Sequence, residues 1–214
     1  MGSLVPVPSA GVRATASATR RVTILQAALE LFVTKGYAAT TMDDLRLRSG
    51  ASIGSIYHHF GPKEVVAAAL YVEGLRDYQD GYVRELERHD DAEAAIKAVV
   101  AYHLRWITSN PELAKFLFHH REPELELASK RPLRSANRRF FRTVAGWLDR
   151  QAEHGIIRWL PRDLYYGLWI APAQEFSRAW LLDRTTTPIE EAAAILGEAA
   201  WQAMRANPGG RRQT

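Results

Sequence analysis

The sequence predicts an all-α fold: an N-terminal three-helix head, joined by a long fourth helix to a larger C-terminal helical domain. Two observations predict this class. Apolar residues recur at the i, i+3, i+4 and i+7 spacing of one helix face along most of the chain, and no stretch alternates as a strand does. Helix start and stop signals divide these periodic segments at short intervals.

Length and composition are those of an ordinary globular protein. The 214 residues are 47% hydrophobic and 24% charged, which allows one large domain or a small domain and a medium one. The lack of cysteine excludes disulfides and thiol catalysis. No apolar run reaches the roughly 18 residues of a membrane helix, and residues 1–18 make a poor signal peptide. We therefore expect a cytoplasmic protein without a membrane partner.

Charge is distributed unevenly along the chain. Residues 1–63 hold seven Lys and Arg against three Asp and Glu, whereas residues 64–214 hold 21 of each sign, so the formal excess of +4 lies wholly in the N-terminal segment. This asymmetry favours a phosphate-binding head. A chance imbalance is the alternative.

Residues 1–18 predict a flexible arm, followed by a head over residues 19–64. The first helix is predicted over residues 20–35 and ends at Gly36. Four residues at helical spacing predict its buried face: Leu25, Ala28, Leu29 and Phe32. Three basic residues lie in the arm and at the start of this helix: Arg13, Arg20 and Arg21. They either contact DNA, as N-terminal arms do elsewhere, or are solvated.

Two short helices with a glycine turn are predicted next. Thr41 is an N-cap, and Asp44 three residues later completes a capping-box pattern. Gly50 ends this helix because glycine tolerates the left-handed backbone. Ser52 is a second N-cap, before a helix over residues 53–60. The pattern is that of a helix-turn-helix, and any helical hairpin is the alternative.

The residue types of the second helix favour DNA binding. Residues 52–60 contain no acidic side chain and begin with small or hydrogen-bonding groups, as suits a helix that enters the major groove. Gly54 costs about 1 kcal/mol against alanine inside a helix. Its presence therefore suggests that another backbone approaches closely.

Residues 50–60 (GASIGSIYHHF), followed by Lys63-Glu64, resemble the DNA-binding signature of tetracycline-repressor (TetR) type regulators. The resemblance extends back through residues 27–32, 35–37 and 40–41 and covers about the first third of the chain. Two positions depart from the usual pattern. Ile53 stands where a polar or basic residue is common, and Arg46 stands where a small residue is common.

The predicted DNA contacts fall into two groups, with Arg46 counted among the DNA-binding residues. Four residues are predicted to face base edges or the groove floor: Ser52, Ile53, Gly54 and Ser55. Ile53 would meet a thymine methyl group, because it cannot form hydrogen bonds. Four residues are predicted to bind phosphates: Thr41, Tyr57, His58 and Lys63. The resemblance implies the same role for three of them, all except His58.

The fourth helix is predicted over residues 62–88, with Pro62 in its first turn. Five residues at helical spacing predict a packing face on this helix: Tyr71, Leu75, Tyr78, Tyr82 and Leu86. The alternative is that the helix acts as a mechanical link from the head to the second domain. The fifth helix is predicted over residues 91–109. Its predicted apolar stripe is Ile96, Val99, Val100, His103 and Ile107.

Asn110 and Pro111 are typical of a stop followed by a new helix start. They predict a short sixth helix over residues 111–119, and a loop or frayed turn is predicted over residues 121–130. The seventh helix, over residues 131–154, is predicted to bury Phe140, Phe141, Val144, Trp147 and Leu148. Three arginines lie four residues apart on its other face: Arg134, Arg138 and Arg142. They predict a solvated surface, and a second nucleic-acid surface is the alternative.

The eighth helix is predicted over residues 161–183, kinked at Pro172. The ninth, over residues 188–206, is rich in alanine, which allows another helix to approach closely. These helices complete a ligand-binding and dimerisation domain over residues 65–206, and residues 207–214 are predicted to be a flexible tail. The resemblance implies a homodimer through a four-helix bundle of the eighth and ninth helices.

Aromatic residues of the second domain suggest a ligand cavity between helices. The candidates for a small inducer are Tyr102, His103, Trp106, Phe116, Trp147, Trp169 and Phe176. A pocket of this kind is also what the resemblance implies. His103 is the best polar candidate, and a satisfied core histidine is the favoured alternative.

The sequence contains none of the common catalytic motifs, such as G-x-S-x-G or H-E-x-x-H. The histidine pairs at 58–59 and 119–120 are adjacent and make poor metal sites. We therefore expect no enzyme, no cofactor and no metal. The combined prediction is a repressor released from a palindromic DNA operator by a small apolar or aromatic inducer. The rival is a helical small-molecule-binding protein or enzyme that does not act on DNA.

Overall fold

The structure, a computed structural model, describes residues 14–118 and 123–206. Within these residues it contains ten helices and no strand, which confirms the all-α prediction. The helices are α1 (Ala14–Thr34), α2 (Met42–Ser49), α3 (Ile53–His59), α4 (Lys63–Glu87), α5 (Ala92–Ser109), α6 (Pro111–Phe118), α7 (Pro123–Glu153), α8 (Arg162–Trp169), α9 (Ala171–Trp180) and α10 (Ile189–Met204). None of the described helices is long and apolar enough to cross a lipid bilayer.

The chain divides into two compact units. The first unit takes its described residues from Met1–Asp77 and Asn110–Ala136, and the second unit takes them from Tyr78–Ser109 and Asn137–Thr214. Both units are discontinuous in sequence, because α4 and α7 each contribute residues to both. The predicted head, residues 19–64, lies within the first unit.

The core of the first unit is built on one face of α1. The four residues predicted for that face are buried, as are Leu45 of α2 and Ile56 of α3. Phe116 of α6 stacks against Phe32, with ring centroids 5.9 Å apart. α1 therefore packs against both α2 and α6, and α3 packs against α2.

α1 begins earlier than predicted, at Ala14 rather than near residue 20. Residues 14–18 are thus helical and not part of an arm, because the alternating alanines there are good helix formers. The rest of the predicted arm, including Arg13, lies outside the described residues. The predicted tail, residues 207–214, also lies outside them.

The second unit is centred on α5, whose predicted apolar stripe is entirely buried. α10 packs directly on α5. At the contact, a Cβ atom added to Gly197 would lie 3.4 Å from the Cα atom of Lys97. The prediction that small residues of the last helix admit a close neighbour is therefore confirmed, and the neighbour is α5.

Two predictions about the seventh helix are wrong. Residues 123–130 are helical rather than a loop or frayed turn, because Pro123 suits the first helical position and good helix formers follow it. Phe141 is 60% exposed rather than buried. It follows Phe140 by about 100° around the helix and therefore lies on the side of the exposed Arg138 and Arg142.

The predicted eighth helix is two helices. α8 ends at Trp169 and α9 begins at Ala171, so the single residue Ile170 separates them, two residues before Pro172. Proline has no N–H and clashes with the carbonyl four residues earlier, so Pro172 interrupts the predicted helix and lies in the first turn of α9.

Candidate nucleic-acid interface and aromatic interior

The start of α2 is fixed by reciprocal hydrogen bonds. The N–H of Asp44 donates to the Thr41 hydroxyl at 3.1 Å, and the N–H of Thr41 donates to the Asp44 carboxylate at 2.8 Å. This is the predicted capping box. Gly50 ends the helix in the left-handed region, with φ +64°, and its N–H donates to the carbonyl of Arg46. The turn that leads to α3 is therefore set by local sequence.

α3 presents one face to solvent. The Ser52 hydroxyl caps the helix by accepting from the N–H of Ser55 at 3.2 Å. Ile53 is 42% exposed and Tyr57 52% exposed, whereas Ile56 is fully buried in the first unit. The exposed residues of α3 and its cap are thus Ser52, Ile53, Gly54, Tyr57 and His58, while Ser55 is half-buried. The structure brings together most of the side chains predicted to contact DNA.

Gly54 lies on the open side of α3. A Cβ atom added there would meet no atom of the described chain within 4 Å. The close backbone neighbour that the sequence suggested is therefore not found among the described residues.

Ion pairs engage several basic side chains of the head. The Arg46 guanidinium donates to Asp43 at 2.6 Å, and this carboxylate raises the pKa of Arg46. The Lys35 ammonium, 2.6 Å from Asp44, lowers the pKa of that carboxyl group to about 2 together with the capping bonds from Thr41. A third pair joins Arg48 to Glu30. Each of these three basic side chains is therefore already paired with an acidic side chain of the head.

Arg21 is also engaged within the first unit. Its guanidinium pairs with Glu73 of α4 and lies 4.5 Å from the ring centroid of Phe60, the residue that ends α3. The alternative of a freely solvated Arg21 is therefore wrong. Arg20 is exposed.

The side chain of Lys63, which is predicted to bind phosphate, contacts other residues of the first unit. Its ammonium donates to the backbone carbonyls of Tyr37 and Thr40, each at 2.9 Å, and it lies 4.4 Å from the ring centroid of Tyr37. A phosphate contact by Lys63 stays a prediction.

A chain of polar groups crosses the interior of the second unit. The Tyr78 hydroxyl lies 2.9 Å from Nδ1 of His103, and Ser177 Oγ lies 3.3 Å from Nε2 of the same ring. His103 is fully buried, and burial lowers its pKa to about 4. Burial also raises the pKa of Tyr78. These contacts favour the interpretation of His103 as a satisfied core residue.

The other ligand candidates differ in their surroundings. Tyr102 donates to the carbonyl of Tyr78 at 3.0 Å, and Trp106 packs edge-on against the Tyr78 ring at 5.2 Å. Trp169 donates to the carbonyl of Ile96 at 3.1 Å, and its ring centroid lies 5.8 Å from that of Trp147. Phe176 is half-buried. Phe116 belongs to the first unit, whereas the other six candidates belong to the second.

Sequence reasoning missed Tyr78 and Ser177 as parts of this polar chain. Tyr78 carried a signal, since it belongs to the predicted packing stripe of the fourth helix and is the type of residue that brings a hydroxyl group into a core. No such signal in the sequence pointed to Ser177. Among residues 14–118 and 123–206, no group of three His, Asp or Glu side chains is arranged as a metal site. The pair His119–His120 lies outside the described residues.

Comparisons with known proteins agree with this geometry. Residues 24–70 match the family described as "Bacterial regulatory proteins, tetR family". The chain is 41% identical over 63 residues to the HTH-type transcriptional repressor KstR2 of Mycolicibacterium smegmatis, a match that covers 29% of each protein. It is 25% identical over 187 residues to the HTH-type transcriptional activator FasR of the same species, covering 85% of this chain and 81% of that protein.

A solved structure extends the comparison to most of the chain. The transcriptional regulator FadR from Bacillus subtilis, in complex with stearoyl-CoA, matches with a TM-score of 0.69 and 18% identity, over 83% of this chain and 96% of that chain. The segment that matches the family model thus contains the capped helix-turn-helix and the C-terminal half of α1, and the likeness of fold continues into the second unit. Within residues 24–70 the chain therefore matches the tetR family of bacterial regulatory proteins, and its fold is similar to that of the FadR regulator.

Proposed function

We propose that this protein is a DNA-binding transcriptional repressor that responds to a small ligand and acts as a homodimer on a near-palindromic operator. The observation that carries the proposal is the exposed face of α3, which has no acidic residue and lies beside a capped α2. A slim, acid-free helix face of this kind suits the major groove. The names of relatives support a regulatory role, although they include both a repressor and an activator.

Each exposed residue of the interface has a proposed task. Ser52, Ile53 and Gly54 would lie against base edges, and the half-buried Ser55 would follow them into the groove. Thr41, Tyr57 and His58 would contact phosphates on either side. Arg46 would reach DNA if it exchanged Asp43 for a phosphate. Phosphate contacts fix register and base contacts give specificity.

Exposed apolar residues support the proposed dimer. Leu164 and Tyr166 on α8 are 47% and 58% exposed, and Ile195 on α10 is 58% exposed. Such residues are costly to leave in water, and a second copy would cover them. A two-fold dimer would place its two heads about 34–36 Å apart, one turn of the DNA helix.

The proposed ligand is apolar or aromatic, and its site would lie among the aromatic side chains of the second unit. The FadR structure holds stearoyl-CoA and KstR2 is named in another solved structure as a ketosteroid regulator, which supports an apolar ligand for this chain as well. Trp106→Ala should weaken the response to such a ligand and spare operator binding. A loss of folding would instead assign Trp106 to the core alone.

Selection of bound fragments from genomic DNA tests the proposal. The protein should retain random duplex DNA at low salt and enrich one near-palindromic sequence at higher salt. Tyr57→Ala should lower operator affinity about ten-fold, the effect of one lost hydrogen bond to a charged phosphate, and should leave the slope of log K against log [salt] unchanged, because the neutral hydroxyl releases no counterion. Phe141→Ala, which removes a similarly exposed aromatic ring from the second unit, should leave the affinity unchanged.

The selected fragments also separate the alternatives. Transcription from a promoter that carries the selected operator should fall when the protein is present and recover with the ligand. A rise would identify an activator instead. Failure to retain any duplex DNA would favour the rival function, a helical small-molecule-binding protein or enzyme.

A further inference from the structure

Arg46 of α2 uses only one edge of its guanidinium group within the chain. Its Nε donates to Oδ1 of Asp43, three residues earlier, at 2.6 Å. Neither of its Nη groups forms a hydrogen bond with the residues that the structure describes. Four of the five N–H donors of an arginine belong to the Nη groups, and together these form a planar fork. The Nη fork of Arg46 is therefore available to a planar pair of acceptors.

The contact with Asp43 directs this fork toward the start of α2. Helical side chains lean toward the N-terminus of their helix, and a partner three residues earlier lies almost one turn in that direction. Asp43 belongs to the first turn of α2, two residues after the N-cap Thr41. Both side chains are at the surface, with 41% of Arg46 and 68% of Asp43 exposed. The fork thus lies near the end of α2 that begins at Thr41, for which a phosphate contact is proposed above.

Arg48, on the same helix, is paired in a different way. Its Nε lies 2.7 Å and its Nη2 2.5 Å from Oε2 of Glu30 on α1, so the carboxylate occupies part of the fork itself. The side chain of Arg48 is 53% exposed, which is similar to that of Arg46. The two arginines therefore carry the same charge at similar exposure, but only Arg46 keeps both Nη groups unengaged by the described residues.

Guanine is the base whose edge matches such a fork. It presents two neighbouring acceptors in the major groove, O6 and N7, and bidentate binding by arginine is the commonest specific contact to a base. A phosphate also accepts from arginine, but the carboxylate of Asp43 repels a phosphate and offsets part of its attraction to Arg46. The acceptors of guanine are neutral, so this repulsion is absent. By holding Nε, the carboxylate also fixes the plane of the fork, on which a bidentate contact depends.

We propose that Arg46 reads one guanine in each half of the operator through its two Nη groups, and that Asp43 is a positioning residue that orients the guanidinium for this contact. The inference rests on the proposed DNA-binding function and gives Arg46 a sequence preference, which a phosphate contact would not have. The competing arrangement, in which Arg46 leaves Asp43 for a phosphate, is an outcome of the test.

Replacing the guanines of the selected operator one position at a time by 7-deazaguanine removes N7 and keeps base pairing. Wild-type affinity should fall at least five-fold at one position of each half-site, because one of the two hydrogen bonds to Arg46 is lost. Arg46→Met should bind the normal and the modified operator alike. A phosphate ligand would give the opposite result: Arg46→Met would weaken binding to every sequence, reduce the slope of log K against log [salt] by about 0.9 and keep the 7-deazaguanine effect.

Asp43→Ala separates orientation from charge. Loss of the carboxylate makes the head more positive, so affinity for random duplex at low salt should rise about two-fold. The 7-deazaguanine effect should shrink to less than two-fold, because the fork is no longer held. Asp43→Asn, which keeps an oxygen acceptor for Nε, should restore part of that effect. Higher affinity for all sequences with an undiminished 7-deazaguanine effect would overturn the role of Asp43.

Arg48→Met is the matched control, since it removes the same charge from the same helix. It should keep the 7-deazaguanine effect in full, and loss of the effect in this variant as well would overturn the assignment to Arg46. The wild-type measurement decides the matter even if a variant does not fold. A wild type that binds its selected operator with no sensitive guanine would overturn this inference alone, whereas one that retains no duplex DNA would overturn the proposed function and the inference with it.

Discussion

The Tyr78 hydroxyl and Nδ1 of His103 lie 2.9 Å apart inside the second unit. On the other side of the ring, Ser177 donates its own proton to the carbonyl of Ala173 at 2.8 Å, so its oxygen is free to accept from Nε2. This arrangement assigns the imidazole proton to Nε2 and leaves Nδ1 to accept from Tyr78. The histidine is therefore held neutral by its partners as well as by burial.

The first prediction concerns stability between pH 6.5 and pH 4. The folded-state pKa of His103 is lowered to about 4 from 6.5, so the unfolded chain takes up a proton in this window and the folded chain does not. Above pH 6.5 His103 adds no pH dependence. As the pH falls from 6.5 to 4, we expect the free energy of unfolding to decrease by about 3 kcal/mol on its account.

Denaturant titrations at several pH values measure this effect, with His103→Gln as the reference. The difference in unfolding free energy between the two proteins should be constant above pH 6.5 and should shift against the wild type below it. Asp44 does not interfere, because its lowered pKa of about 2 makes its contribution fall away only at lower pH. A difference that stayed constant down to pH 4 would contradict the buried neutral histidine.

The second prediction concerns Gly81, in the interior of α4. A Cβ atom there would overlap the ring and hydroxyl group of Tyr102. Tyr102 must then move, and its hydrogen bond to the carbonyl of Tyr78 is lost. We expect Gly81→Ala to destabilise the protein by about 1–3 kcal/mol despite the better helix propensity of alanine, as measured by thermal unfolding. In Tyr102→Phe, which has no hydroxyl to displace, the added penalty of Gly81→Ala should be smaller.

Gly54→Ala should have the opposite effect on stability. Because nothing of the described chain lies within 4 Å of the added Cβ, alanine should stabilise α3 by up to about 1 kcal/mol. If Gly54 faces the groove floor, the same methyl group should lower operator affinity at least ten-fold, as measured by fluorescence anisotropy. A variant that is both more stable and equally active in DNA binding would remove Gly54 from the interface.

The fourth prediction assigns thymine readout to Ile53. Replacing thymine by uracil removes only the C5 methyl group, so wild-type affinity should fall about four-fold at one position of each half-site, by the transfer free energy of about 0.8 kcal/mol per buried carbon group. Ile53→Ala should bind both duplexes alike. Leu47→Ala, which shortens a 65% exposed aliphatic side chain of α2, should keep the discrimination.

Local signals made much of the head predictable. The capping box of Thr41 and Asp44, the left-handed stop at Gly50 and the cap at Ser52 each depend on residues within a few positions of one another, and each is present as predicted. Helix faces with strict apolar spacing, such as that of α5, were predictable for the same reason. The bounds of α7 and the break between α8 and α9 were not, because competing helix formers and a proline gave opposite signals there.

The sequence by itself determined that the chain is helical and that a capped helix-turn-helix lies near its N-terminus, because caps, turns and helix periodicity are encoded by neighbouring residues. Only the tertiary structure decided what distant side chains do. It directs Lys63 to the carbonyls before α2, places His103 between Tyr78 and Ser177, and assigns Phe116 to the first unit. Such contacts join residues far apart in sequence, and they depend on how whole helices pack rather than on any local pattern.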